Sequence, residues 1–221
     1  MNAVLKNIVA RTYKPLLVKY LSKTRTYRYK DIRMSIPPEV FHPGFFFSTQ
    51  LLLQYINTYE VNKKRFLELG CGSGLIAMVA AKKNAIVTAT DINTIAVEAL
   101  KKNSVQNNVT IKVIESDLFL NIPPQQFDII AINPPYYKKQ PVIAKDHAWL
   151  CGENGEYFSA LFTTLADYMH SDSEVLMILF DGCDMEMIYT MAAKNNFKLT
   201  CVFRKKNMLE ENVIYKVEKK S

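Results

Sequence analysis

The chain is expected to form an α/β fold: one open, mostly parallel sheet of seven strands with helices on both faces. An antiparallel hairpin closes the sheet at the C-terminal end, and a short helical arm precedes it. Three observations predict this. From residue 65 onward, short apolar runs alternate with helix-like stretches, the pattern that builds a parallel sheet through crossover connections. The first of these runs passes into a helix through a glycine-rich turn, Gly70-Cys71-Gly72-Ser73-Gly74. A later run, Phe127–Ile132, ends in Asn133-Pro134-Pro135-Tyr136. Two successive prolines lack the N–H groups that a ladder needs, so the strand must stop there.

Taken in order, residues 2–22 place Val4, Leu5, Ile8, Val9, Leu16, Leu17, Tyr20 and Leu21 on one helical stripe, which Pro15 divides into two short helices. From Thr26 to Ile36 the pattern is strand-like, and Pro37-Pro38 marks a linker. Val40–Thr49 is an aromatic-rich loop. Its Phe45, Phe46 and Phe47 cannot all face one core, so they cover a ligand or staple the arm to the domain. A helix follows near Gln50–Tyr59. The strand from Arg65 and the glycine turn lead to a helix over Leu75–Lys83, a strand Ile86–Thr90 ending at Asp91, a helix Thr94–Asn103, and a strand Thr110–Glu115 ending at Ser116-Asp117.

Beyond Tyr136, Lys138–Leu150 is expected to be a mobile substrate loop, because loops at strand ends carry specificity. The segment Trp149–Glu156 contains Gly152 and Gly155 and reads as a turn. A helix over Tyr157–Met169 puts Phe158, Leu161, Phe162, Leu165 and Met169 on one face. Glu174–Phe180 is a buried strand, Met185–Asn195 a helix, and Phe197–Phe203 with Asn212–Val217 a closing hairpin. The expected division is an arm over residues 1–45 and a domain over residues 46–221.

A chain of 221 residues suits one domain, and 49% hydrophobic content supplies a sizeable core. No apolar run reaches the roughly 20 residues needed to cross a bilayer, and the start carries no secretory h-region, so a cytoplasmic protein with no membrane partner is expected. Cys71, Cys151, Cys183 and Cys201 lie far apart, as do His42, His147 and His170. That spacing argues against both a disulfide framework and a metal site. Charge is uneven: residues 1–33 hold nine Lys and Arg against Asp31 alone, more than the whole net charge of +7. Such an arm is either an electrostatic footprint for nucleic acid or a solvated face.

The chemistry concentrates at four strand ends carrying Glu68 and Gly70, Asp91, Asp117, and Asn133. In an open α/β sheet these ends line the ligand crevice. Glycines at 70, 72 and 74 let the backbone turn sharply and approach a ligand, and the following helix offers unpaired N–H groups. A nicotinamide-dinucleotide fingerprint would want glycine where this chain has Leu75. Asp91 lies 21 residues after Gly70, close to the interval at which a carboxylate meets a ribose hydroxyl; its plainer role is an N-terminal charge for the next helix. Asn133, free carbonyls and the Tyr136 ring suit a planar NH2 group, with two acceptors for its protons and an aromatic face for stacking.

Residues 64–137 resemble the core of class I S-adenosylmethionine-dependent methyltransferases, with Glu68-Leu-Gly70-Cys71-Gly72-Ser-Gly74 similar to their first motif. The resemblance implies a Rossmann-like sheet and S-adenosyl-L-methionine as cofactor. It implies cofactor contacts from Thr49, Glu68, Gly70, Cys71, Gly72, Gly74, Asp91, Ile92, Ser116, Asp117 and Asn133. Asn133-Pro134-Pro135-Tyr136 resembles the catalytic N-P-P-Y motif of the branch that methylates planar nitrogens. That branch includes the glutamine methyltransferases of release factors (the HemK/PrmC type) and the adenine or guanine amino methyltransferases. The Trp149–Gly155 segment resembles the Gly-rich stretch after N-P-P-Y in the glutamine enzymes, with a cysteine replacing one glycine. The implied acceptor is a glutamine amide in a release factor-like protein. The alternatives are an exocyclic amine of RNA or DNA, which the basic arm would favour, and a binding subunit that keeps the fold without catalysis.

Overall fold

Residues 19–207 and 210–220 are described by the structure, a computed structural model. Of the two arm helices expected over residues 2–22, residues 2–18 lie outside the described residues; of 19–22, residues 19–21 are helical. The segment that reads as one strand over Thr26–Ile36 is a hairpin: β1 (Arg25–Tyr29) pairs antiparallel with β2 (Ile32–Ile36), in register Arg25↔Ile36 to Tyr29↔Ile32. Its two-residue turn holds Lys30 at φ +52°, the left-handed region that tight hairpin turns favour. No glycine, asparagine or proline marks that turn in the sequence, so the alternation runs on unbroken.

The main sheet has the order β5-β4-β3-β6-β7-β9-β8. Its strands are β3 (Arg65–Leu69), β4 (Ile86–Asp91), β5 (Ile111–Glu115), β6 (Phe127–Ile132), β7 (Met169–Phe180), β8 (Phe197–Lys206) and β9 (Glu211–Lys219). Strands β3 to β7 are parallel, and β9 runs antiparallel between β7 and β8. Successive residues of a strand point to opposite faces, and both faces are covered. In β6, Ile129 and Ala131 enter one buried cluster, Ile130 and Ile132 the other. The first cluster is closed by α1 (Phe47–Ile56), α2 (Leu75–Lys82) and α3 (Thr94–Gln106), together with Ile32, Met34 and Ile36 of the hairpin. The second is closed by α4 (Glu156–Thr164) and α5 (Met185–Lys194).

Two asparagines dock the hairpin on α3. Asn107 Oδ1 accepts from Arg33 N (2.9 Å) while its Nδ2 donates to Arg33 O (2.7 Å). One turn earlier, Asn103 does the same with Ser35, at 2.9 and 3.0 Å. The two amides stand in for a neighbouring strand and satisfy an edge that would otherwise be orphaned.

Two boundaries differ from expectation. Helix α1 lies about one turn earlier than Gln50–Tyr59, since Thr58 N and Tyr59 N bond back to Tyr55 O and Ile56 O and close the helix. The helix expected over Tyr157–Met169 ends at Thr164; a 3-10 turn (Leu165–Tyr168) follows, and Met169 already belongs to β7. The apolar spacing runs through the 3-10 turn without a break, which hides the change. The start of β7 is irregular, with Met169 opposite Phe127 and Glu174 opposite Ile129. The extra residues are held by Ser173 Oγ, which donates to Phe127 O (2.6 Å) and accepts from His170 N (2.8 Å).

Candidate functional site

The sheet order reverses between β3 and β6, so the connections leaving those strands diverge and open a crevice at their carboxyl ends. A cleft of about 330 Å³ occupies that position, within the range of small-ligand sites. Among the residues singled out from the sequence, Thr49, Glu68, Gly70, Cys71, Gly72, Asp91, Ile92, Ser116, Asp117, Asn133, Pro134, Pro135 and Tyr136 all line it. Gly74 does not. It caps α2 at φ +73°, and a Cβ there would run into the Leu100 side chain, so its glycine serves helix packing.

The glycine turn is pinned from β4. Cys71 N donates to Thr90 O (2.8 Å) and Gly72 N to Asp91 Oδ2 (2.7 Å). Asp91 Oδ1 accepts from Asn93 N (2.9 Å), and Asn93 in turn caps α3 through Ile95 N. Asp91 therefore ties the loop to the strand end while facing the cleft. Burial raises its pKa, against the backbone hydrogen bonds that favour the charged form. Glu68 sits beneath the loop, 6% exposed, with Oε2 accepting from Ala77 N of α2 (2.7 Å). Burial pushes its carboxyl up to about 8. At Gly70, φ +70°, a Cβ would meet nothing within 4 Å, so that face of the loop opens on the cleft.

Beside the glycine turn lies the end of β6, paired with β3 through Leu69↔Ile132. Asn133 Nδ2 lies 3.4 Å from Ser48 Oγ and 3.3 Å from Thr49 Oγ1, both on the first turn of α1. The half-buried Tyr136 ring packs on Phe180 (centroids 4.6 Å apart) and Tyr137 (5.1 Å), and burial raises its phenol pKa far above the ordinary value. Ser116 turns its hydroxyl into its own loop, donating to Leu118 O (2.9 Å) and accepting from Asn121 N (3.0 Å).

The expected substrate loop is closed at its neck. Tyr136 N and Tyr137 N both donate to Trp149 O (3.1 and 2.9 Å), and Cys151 N returns to Tyr137 O (3.0 Å). Inside it a 3-10 turn, Ala144–Ala148, brings His147 to the cleft. The three phenylalanines face different ways. Phe46 joins Phe41 (4.0 Å) and Trp149 (5.0 Å) in a cluster, Phe45 packs on Tyr20 (5.6 Å), and Phe47 lies under Lys205 Nζ (5.8 Å). Phe41, His147, Glu156 and Tyr157 line the cleft without having been singled out as site residues from the sequence. Phe41 lies in the aromatic-rich loop, His147 in the expected substrate loop and Glu156 at the end of the Gly152–Gly155 turn, so each sits in a segment that the sequence marks; Tyr157 carries no such signal. Among the described residues no group of three His, Cys, Asp or Glu side chains could hold a metal ion.

Three comparisons bear on this geometry. The model of the methyltransferase small domain family matches residues 32–150. A Methanocaldococcus jannaschii protein, provisionally named as a protein N5-glutamine methyltransferase, is 43% identical over 108 residues, 48% of this chain and 52% of its own length. The chain thus spans about half of that relative. Two solved structures share the fold. A Thermus thermophilus 16S rRNA N2 G1207 methyltransferase, in complex with AdoMet and guanosine, superposes with a TM-score of 0.64 at 19% identity, over 90% of this chain and 50% of that one. The E. cuniculi Mtq2–Trm112 complex, responsible for methylation of the eRF1 termination factor, gives 0.62 at 19%, over 82% and 99%. With more than half of its residues matched, the chain belongs to the methyltransferase small domain family.

Proposed function

We propose that the protein is an N-methyltransferase acting on a planar NH2 nitrogen, a glutamine amide of a translation release factor or a similar protein. The observation that carries this is Asn133 at the end of β6, lining the cleft with Pro134 and Tyr136 beside the glycine turn that leaves β3. The cleft fits S-adenosylmethionine as the cofactor: the space in front of Gly70 is open, and Asp91 presents a half-buried carboxylate beside it. Gly70, Gly72 and Asp91 would hold it, with Ile92 and Asp117 along the same wall. When bound, S-adenosylmethionine supplies an electrophilic methyl group on a good leaving group.

The work left to this chain is alignment. Asn133 Oδ1 and Pro134 O accept the two protons of the incoming NH2 group, and Tyr136 covers its planar face. With both protons held, the nitrogen's lone pair is turned towards the methyl donor. The acceptors also stabilise the positive charge that grows on the nitrogen. No histidine base is required, because proton loss follows alkylation and water can take it.

The glutamine assignment is supported by the relative named for that activity and by the structure described for eRF1 methylation. A second reading, an exocyclic amine of RNA, is favoured by one observation. Arg28 and Arg33 are directly opposite each other on the exposed face of the hairpin, and neither pairs with a carboxylate among the described residues. Like charges so placed repel, and an anion such as a phosphate would relieve them. Transfer of labelled methyl from S-adenosylmethionine to cell extract tests both. Label that survives nuclease and is lost to protease supports the glutamine reading, and the reverse supports RNA.

A further inference from the structure

We infer that Ser48 and Thr49 are positioning residues for Asn133, two hydroxyls that clamp its amide nitrogen and so fix where the amide oxygen points. The inference rests on the proposed role of Asn133. An asparagine side chain has a soft terminal torsion, and a half-turn exchanges acceptor for donor at the same place. An amide offering NH2 to an incoming NH2 group would hold nothing, so the reaction needs one orientation. Here both protons of Asn133 Nδ2 meet hydroxyl oxygens, Ser48 Oγ at 3.4 Å and Thr49 Oγ1 at 3.3 Å. Two acceptors for two protons define the amide plane as well as its position, and leave Oδ1 on the other side. Asn133 Oδ1 takes part in no hydrogen bond among the described residues.

The hydroxyls are placed for this by burial rather than by helix capping. Ser48 is 7% and Thr49 6% exposed, yet α1 has no side-chain cap and neither hydroxyl bonds to its end. A buried hydroxyl is retained where it has a partner, and the partner both share is Asn133 at the end of β6. Helix α1 packs through Leu51, Leu52, Leu53 and Ile56 against the same core as β3 and β6, so the clamp is anchored on rigid elements.

The test compares Ser48→Ala/Thr49→Val, Thr49→Ser and Asn133→Ala in the full-length protein. Three quantities are read: methyl transfer from labelled S-adenosylmethionine to cell extract, cofactor affinity by calorimetry, and hydrogen exchange of the Asn133 side-chain NH2 by 15N NMR. The double variant keeps side-chain volume close and removes both acceptors. It is expected to exchange its Asn133 NH2 at the rate of a free amide and to lose about tenfold or more in kcat, somewhat less than loss of the whole polar contact. Its cofactor affinity should stay within about threefold, a change worth less than 1 kcal/mol. Thr49→Ser should restore most of both properties. NH2 exchange unchanged in the double variant overturns the clamp, whatever the reaction. A kcat loss that tracks weakened cofactor binding also overturns it, since the hydroxyls would then be cofactor ligands. Full activity in Asn133→Ala with NH2 protection lost in the double variant would instead sink the proposed role of Asn133.

Discussion

Replacing Glu68 with glutamine should flatten the dependence of stability on pH. The carboxyl lies buried under the glycine turn, and burial raises its pKa from 4.5 to about 8. Between these values the folded chain keeps a proton that the unfolded chain has released. This contribution to stability is therefore complete below about pH 4.5 and is lost as pH rises through about 8, at up to about 1.4 kcal/mol per pH unit. Asp91 is raised by burial as well and adds a slope of the same sign. Asp31, Glu98, Glu156 and Asp184 are lowered by hydrogen bonds and act only further into acid. Glu68→Gln keeps an acceptor for Ala77 N and removes the titration. Urea unfolding of both chains at pH 5, 6, 7 and 8 should give a falling stability for wild type and a shallower fall for the variant. Equal slopes in the two chains would refute the argument, since Glu68 would then titrate alike in the folded and unfolded chains.

Three further outcomes are expected. S-adenosylmethionine at a hundredfold excess over its dissociation constant should stabilise the protein by about 2.7 kcal/mol in a thermal melt; Asp91→Ala should lose most of that shift and also unfold more easily, because Gly72 N and Asn93 N lose their acceptor at about 1–3 kcal/mol each. If the RNA reading holds, Arg28→Gln/Arg33→Gln should flatten the slope of RNA affinity against salt by about two counterions, measured by fluorescence anisotropy; an unchanged slope would mark the hairpin as a solvated face. Tyr136→Ala should raise the KM for the acceptor and Tyr136→Phe should not, since the ring face is used; equal effects in steady-state kinetics would point to the hydroxyl instead.

What the sequence revealed and what it hid follow from the range of the interactions involved. The parallel strands β3, β4 and β6 were legible because they bury both faces and are written as mainly apolar runs ending at Gly70, Asp91 and Asn133, whereas β5, half-exposed at the sheet edge, shows instead as the short run Ile111-Lys112-Val113-Ile114 ahead of Ser116-Asp117. The β1–β2 hairpin was not, since its docking depends on Asn103 and Asn107, about 70 residues away in sequence and silent as a local signal. The early start of β7 was hidden because Met169 continues the helical spacing of α4 and pairs with Phe127 only in three dimensions. In the cleft, the glycine turn and Asn133-Pro134-Pro135-Tyr136 are contiguous and readable. Phe41, His147, Glu156 and Tyr157 reach it from loops and a helix start whose course the neck at Trp149 sets. Gly74 shows the opposite case: its place in the motif implies a ligand contact, whereas Leu100 fills the space a side chain would need.

The most direct measurement is methyl transfer by Asn133→Ala at saturating acceptor, paired with its cofactor affinity by calorimetry. Most of the proposed cofactor contacts come from the ends of β3, β4 and β5, and the Asn133 side chain is one of many groups on that cleft, so affinity for S-adenosylmethionine should fall far less than methyl transfer does. Loss of a preorganised polar contact at the reacting nitrogen should lower kcat by about 10²–10³, or roughly 3–4 kcal/mol. Transfer within about threefold of wild type, far below that expected loss, would contradict the account and make Asn133 a strand terminator only.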